Sequence, residues 1–192
     1  VKIAIVDSGI HADHPHVGRV AGGVGIVCED YLDRLGHGTA VAGAIRERAP
    51  YADLYAVKIF DRRLSTKRDV LIRALEWCAA EKMDLVNLSV GTTRPLERID
   101  GLPVIVTVPD VLEDAIPVLP DEQCPRDAFY FRAGMFYASP YPRSIPGVPM
   151  ERNLHGSSFA VANMTGFVAQ ALETVARQDI TRVLIARAAQ SA

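Results

Sequence analysis

The chain has 192 residues, 49% of them hydrophobic and 23% charged; this is globular composition with material for one sizeable core and no room for a second full domain, so residues 1–192 read as a single domain. The formal net charge is −2, with lysines and arginines scattered along the chain, which argues against nucleic acid or an anionic membrane surface as a partner. No apolar run approaches the ~18 residues that a membrane-spanning helix needs.

Residues 1–6 are apolar and largely β-branched and stop at Asp7-Ser8-Gly9, the pattern of a buried strand entering a turn. Residues 20–27 predict a second strand. Small and apolar residues recur at helical spacing over 37–47, with Gly36 and Gly38 beside the start. A strand follows over 53–60, then the clearest amphipathic helix, 66–82, with Val70, Ala74, Trp77 and Cys78 near one face. Residues 84–90 and 103–108 predict two more buried strands. Strands alternating with helices imply parallel crossovers, hence an α/β fold whose mostly parallel central sheet is flanked by helices. From 109 to 149 the chain is rich in proline and aromatics with only short strand candidates, a stretch long enough to be expected to shape a surface or site. Residues 157–177 predict a long helix and 179–189 a shorter one.

Cys28, Cys78 and Cys124 are far apart and odd in number. They allow at most one internal disulfide, carry no Cys-x-x-Cys spacing, and point toward a reducing, cytoplasmic compartment. No charged-then-apolar leader opens the chain; the missing initiator Met leaves a removed leader or propeptide open.

Three motifs carry candidate chemistry. Asp7 ends the first strand, and ligands of α/β sheets gather beyond the carboxyl ends of strands. Alone, Asp-Ser-Gly is a turn signal. His37 lies in Gly36-His37-Gly38-Thr39-Ala40-Val41-Ala42-Gly43, where small residues allow close packing; a lone His there is commonly structural. Ser158 lies in His155-Gly156-Ser157-Ser158-Phe159-Ala160 at a predicted helix start, where a serine can be an N-cap or a nucleophile beside a positively polarised helix end. Together the three supply nucleophile, base and orienter, the set that acyl transfer needs.

Ile5-Val6-Asp7-Ser8-Gly9-Ile10 with the later His14-Pro15 resembles the Asp motif of the subtilisin family, or subtilases, and Gly36-His37-Gly38-Thr39 through Gly43 resembles its His motif. Leu54-Tyr55-Ala56-Val57-Lys58 and Asp84-Leu85-Val86-Asn87-Leu88-Ser89-Val90-Gly91 are similar to two family strands. Gly156-Ser157-Ser158-Phe159-Ala160 matches the Ser motif, with Ser157 where Thr is usual and Asn163 where the motif has His. The order Asp, His, Ser is also the family's. The resemblance covers 1–91 and about 155–170. It implies a serine endopeptidase acting on a peptide or protein substrate, with Asp7, His37 and Ser158 as the triad and Ser89, Val90 and Gly91 pairing with the substrate backbone as an added strand.

The family's oxyanion Asn follows a later strand; here the corresponding strand ends in Pro109-Asp110, and the helix before it is missing between Gly91 and Leu102. Candidates for the second oxyanion donor are a protonated Asp110, Asn153 folded back toward the site, or a backbone N–H of 110–150. His11, His14 and His16 cluster, but Pro15 and the family's His-Pro turn favour a structural loop over a metal site. No calcium-loop pattern is visible, so neither cofactor nor metal is expected. The small size and rebuilt middle favour a narrow peptide or precursor substrate. A catalytically silent, peptide- or partner-binding module and an acyl-transferring variant are the competing functions; the oligomeric state is not encoded legibly.

Overall fold

The computed structural model describes residues 1–97 and 99–189. Eight strands form one sheet: β1 (Lys2–Asp7), β2 (Val20–Gly25), β3 (Asp53–Lys58), β4 (Leu85–Leu88), β5 (Val104–Thr107), β6 (Ile116–Pro120), β7 (Phe129–Arg132) and β8 (Met135–Ala138). Their order across the sheet is β2-β3-β1-β4-β5-β6-β8-β7. All neighbours are parallel except β7 and β8, which form an antiparallel hairpin. Four helices cover it: α1 (His37–Arg48), α2 (Arg68–Ala80), α3 (Ser157–Leu172) and α4 (Ile180–Arg187). This is the α/β arrangement the alternation predicts.

Both faces of the sheet are buried, and the two-residue period of a strand divides its side chains between them. Ile3 and Ile5 of β1, Leu54 and Ala56 of β3, and Val104 and Val106 of β5 join the core shared with α1 and α3. Ala4 and Val6, Val57, and Ile105 face the other core, where α2 contributes Leu71, Ala74, Leu75 and the buried thiol of Cys78. β1 lies between β3 and β4, so its carboxyl end, and with it Asp7, is central.

The segment 109–149 contains three short strands. β6 continues the parallel sheet beside β5, and a two-residue loop joins β7 to β8. That loop, Ala133 and Gly134, has φ of 50° and 79°, the left-handed pair that a twisted hairpin requires. Ala189 closes the far edge: its N–H donates to the Phe129 carbonyl at 2.9 Å, and it bridges to Tyr130. Between β4 and β5 the described residues contain no helix, as the sequence anticipates. The helix expected over 157–177 stops at Leu172, because the chain turns where Thr174 and Val175 both donate to the Ala171 carbonyl and Val175 packs back onto the core.

α1 and α3 lie against each other through small residues. A Cβ on Gly166 would stand 2.8 Å from the Arg48 Cβ, too close for any rotamer change to relieve. Gly166→Ala is therefore expected to lower stability by about 1–3 kcal/mol through overpacking, although Ala favours helix by up to ~1 kcal/mol. Urea denaturation should show a lower midpoint at unchanged slope.

Candidate active site

Asp7 is fully buried at the end of β1, and His37 is the first residue of α1. The His37 Nδ1 lies 2.8 and 3.0 Å from the two carboxylate oxygens of Asp7. An ionised carboxylate only accepts, so Nδ1 carries the proton and Nε2 is left as the basic nitrogen. Burial of the ring opposes its protonation, but the Asp7 hydrogen bond and the charges of Asp7 and Asp33 outweigh it, and His37 titrates above its ordinary value. The Phe159 ring, 5.6 Å from the imidazole between centroids, walls it on the α3 side.

The approach of α1 to β1 is set by groups the motif reading passed over. The Asp33 carboxylate accepts from the Ser8 hydroxyl at 2.9 Å, from the N–H groups of Leu35, Gly36 and Thr39 at 2.9 Å, and from the Thr39 hydroxyl at 2.5 Å. Ser8 Oγ in turn accepts the Gly38 N–H at 2.9 Å. Burial works against the charge on Asp33, yet these hydrogen bonds prevail and hold its pKa below the usual carboxylate range. Asp33 thus satisfies the donors at the amino end of α1 that an N-cap side chain would take; the N-cap residue itself, Gly36, has no side chain to offer. The available signal was an Asp shortly before a helix start. The fully buried Lys58 braces the same loop by donating to the Leu32 carbonyl at 2.8 Å, with Asp61 and Asp30 at 3.4 and 3.8 Å.

Ser158 is the second residue of α3, and among the described residues its N–H has no backbone acceptor. His37 and Ser158 line one cleft of about 360 Å³ together with Phe60, Leu64, Ser65, Thr66, Ser89, Val90 and Gly91. Residues 89–91 run past the end of β4, beyond its ladders with β1 and β5, and make no backbone hydrogen bond among the described residues. The Ser89 hydroxyl ties this segment to α3, reaching Asn87 Oδ1 at 3.2 Å and the Ser158 carbonyl at 3.3 Å. Asn87 donates to the Thr165 hydroxyl at 3.0 Å.

Neither side chain named for the second oxyanion donor lines this cleft. Asp110 is exposed, with φ of 63°, so the burial that would keep its carboxyl neutral is absent. The Asn153 amide donates to the Arg143 carbonyl at 3.1 Å while its oxygen accepts the Leu154 N–H, and it lines a different cavity with His11, His14 and His16. There His14 and His16 meet edge to face at 5.1 Å. Among the described residues no three His, Cys, Asp or Glu side chains are grouped as a metal would require.

The model of the subtilase family matches residues 1–111. Over 103 residues the chain is 39% identical to the thermostable alkaline protease of Halalkalibacterium halodurans, covering 48% of this chain and 28% of that protein. It is also 39% identical to subtilisin E of Bacillus subtilis, covering 47% and 27%. The match thus spans little more than a quarter of these relatives' length. The fold is similar to the crystal structure of a cold adapted subtilisin-like serine proteinase, with a TM-score of 0.74 over 99% of this chain and 82% of that one, at 18% identity; that likeness is one of fold.

Because the folded-state pKa of His37 is raised, the stability its pairing contributes is complete below the unfolded value near 6.5 and fades as pH rises through the folded value. His37→Gln should accordingly cost more stability at about pH 5.5 than at about pH 9, read by urea denaturation. Asp7→Asn should lower the His37 titration midpoint, followed by NMR of the ring.

Proposed function

The chain belongs to the subtilase family, and from that premise we propose that it is a serine endopeptidase working through an Asp7–His37–Ser158 triad and an acyl-enzyme. The observation that carries this reading is the shared cleft, in which an imidazole already oriented by a buried carboxylate faces the same space as Ser158 and an unpaired backbone segment. Ser158 Oγ attacks the peptide carbonyl as Nε2 of His37 takes its proton. The imidazolium, stabilised by Asp7, returns that proton to the leaving amine, and water then releases the acyl group by the same steps. The substrate backbone lies along Ser89, Val90 and Gly91 as an added strand.

The Ser158 N–H, at the positive end of the 16-residue α3, serves as one oxyanion donor. Neither Asp110 nor Asn153 lines the cleft, which leaves the second donor to a backbone N–H of 110–150; without one, the hole is short of a contact worth roughly 10²–10³ in rate. A slow enzyme acting on a narrow peptide or precursor substrate fits that deficit. The same deficit favours the second reading, a peptide-binding module with little turnover.

A fluorophosphonate probe separates the two. The enzyme reading expects stoichiometric labelling that Ser158→Ala abolishes and His37→Ala nearly abolishes, with Asp7→Asn slowing it by up to about 10⁴-fold. Absence of labelling in the folded wild-type protein would leave the binding module.

A further inference from the structure

One lip of the cleft differs in charge from the chain as a whole. Beside the lining residues Leu64, Ser65 and Thr66 stand Arg62, Arg63, Lys67 and Arg68, four basic side chains against one acid, Asp61, within residues 61–68 of a chain whose net charge is −2. Asp61 is committed to the buried Lys58 at 3.4 Å and to Arg62 at 3.8 Å. The lips meet at Arg68, whose guanidinium donates to the carbonyls of Arg94 and Pro95 at 3.3 and 3.0 Å and lies 4.0 Å from the Glu97 carboxylate; Arg68 is thereby neutralised, and Arg94 joins the set from the opposite side. Arg63, Lys67 and Arg94 are exposed, and among the described residues their side chains have no hydrogen-bond or ion-pair partner. Four of these cations are already neighbours in the sequence; the fold sets them beside the cleft and adds Arg94.

Their place on α2 adds an independent sign. Lys67 is the N-cap of that 13-residue helix and Arg68 its first residue, with no side-chain cap. Cations at the positive end of a helix are locally unfavourable, and only Asp69 in the first turn offsets them. A local preference set against the fold beside a binding cleft marks a site selected for binding.

We infer that the cleft selects peptides bearing acidic side chains next to the scissile bond, read by Arg63, Lys67 and Arg94, chain neighbours of the residues that line it. This rests on the peptidase reading. Exposed charges of this kind are screened by salt, so the selection is an ionic-strength-dependent one.

The test compares two fluorogenic peptides that differ only in whether the residues on both sides of the cleaved bond are Glu or Gln. kcat/KM is expected to favour the Glu peptide roughly tenfold at low salt, the scale of a few exposed ion pairs, and to converge on the Gln value at about 0.5 M salt. Arg63→Glu with Lys67→Glu should abolish or invert the ratio, whereas Arg187→Glu, on α4, should leave it unchanged. Equal kcat/KM for the two peptides, or a preference that survives the charge reversal, overturns the inference. If neither peptide is cleaved, the peptidase reading fails by itself, and fluorescence anisotropy of the same peptides on Ser158→Ala decides the charge reading. Tighter, salt-sensitive binding of the Glu peptide sustains it, and equal binding overturns it.

Discussion

The first turn of α1 lies so close to the end of β1 that a Cβ on Gly38 would stand 2.2 Å from the Gly9 carbonyl oxygen and 3.2 Å from the Asp7 Cβ. Only glycine permits that approach, and it is what brings the His37 ring down onto the Asp7 carboxylate. Closeness of this kind needs restraint as well as space. Asp33 supplies it, joining the turn after β1 through Ser8 to the start of α1 through Gly36 and Thr39. A buried carboxylate with these hydrogen bonds fixes direction as well as distance, since its Oδ1 takes three donors and its Oδ2 two, from different parts of the loop and helix.

A second buried polar chain does the corresponding work across the cleft. Asn87 and Ser89 link β4 to α3 through Thr165 and the Ser158 carbonyl, so the helix that carries Ser158 and the segment 89–91 are held to one another through polar contacts rather than through apolar packing alone. Unlike apolar contacts, hydrogen bonds tolerate little sliding, and a misplacement of about 1 Å can cost ~10²-fold in such a reaction. Both chains rest on one sheet whose two faces are dry, which keeps their mutual geometry from varying.

Much of this was legible in the residues. Runs such as Ile3-Ala4-Ile5-Val6 announce a strand buried on both faces, and the motifs around Asp7, His37 and Ser158 announce the elements that carry them and the cleft's neighbourhood of His37 and Ser158. What stayed hidden had physical causes. β6 is five residues long with prolines at 117 and 120 and pairs with β5 at only two positions, too little for a periodic signal. The β7–β8 turn uses Ala133-Gly134 where Asn-Gly would have advertised a hairpin. Asp33 is separated from Ser8 by 25 residues, and no local pattern joins them. Asp110 and Asn153 were named by position along the chain, which carries no information about exposure or about which carbonyl an amide already serves.

The closing of the sheet by Ala189 bears on how the molecule behaves in company. An unpaired outer strand offers its backbone to any neighbouring chain and is a common route to sheet-to-sheet aggregation. β7 is such a strand, rich in aromatics, yet its Phe129 carbonyl is taken by the Ala189 N–H. Its last residue, Arg132, pairs with Asp121 and lies 4.1 Å over the Tyr137 ring, placing a guanidinium group where a foreign strand would have to dock. The outer strand thus meets a neighbouring chain with one backbone acceptor already taken and a charged group at its end.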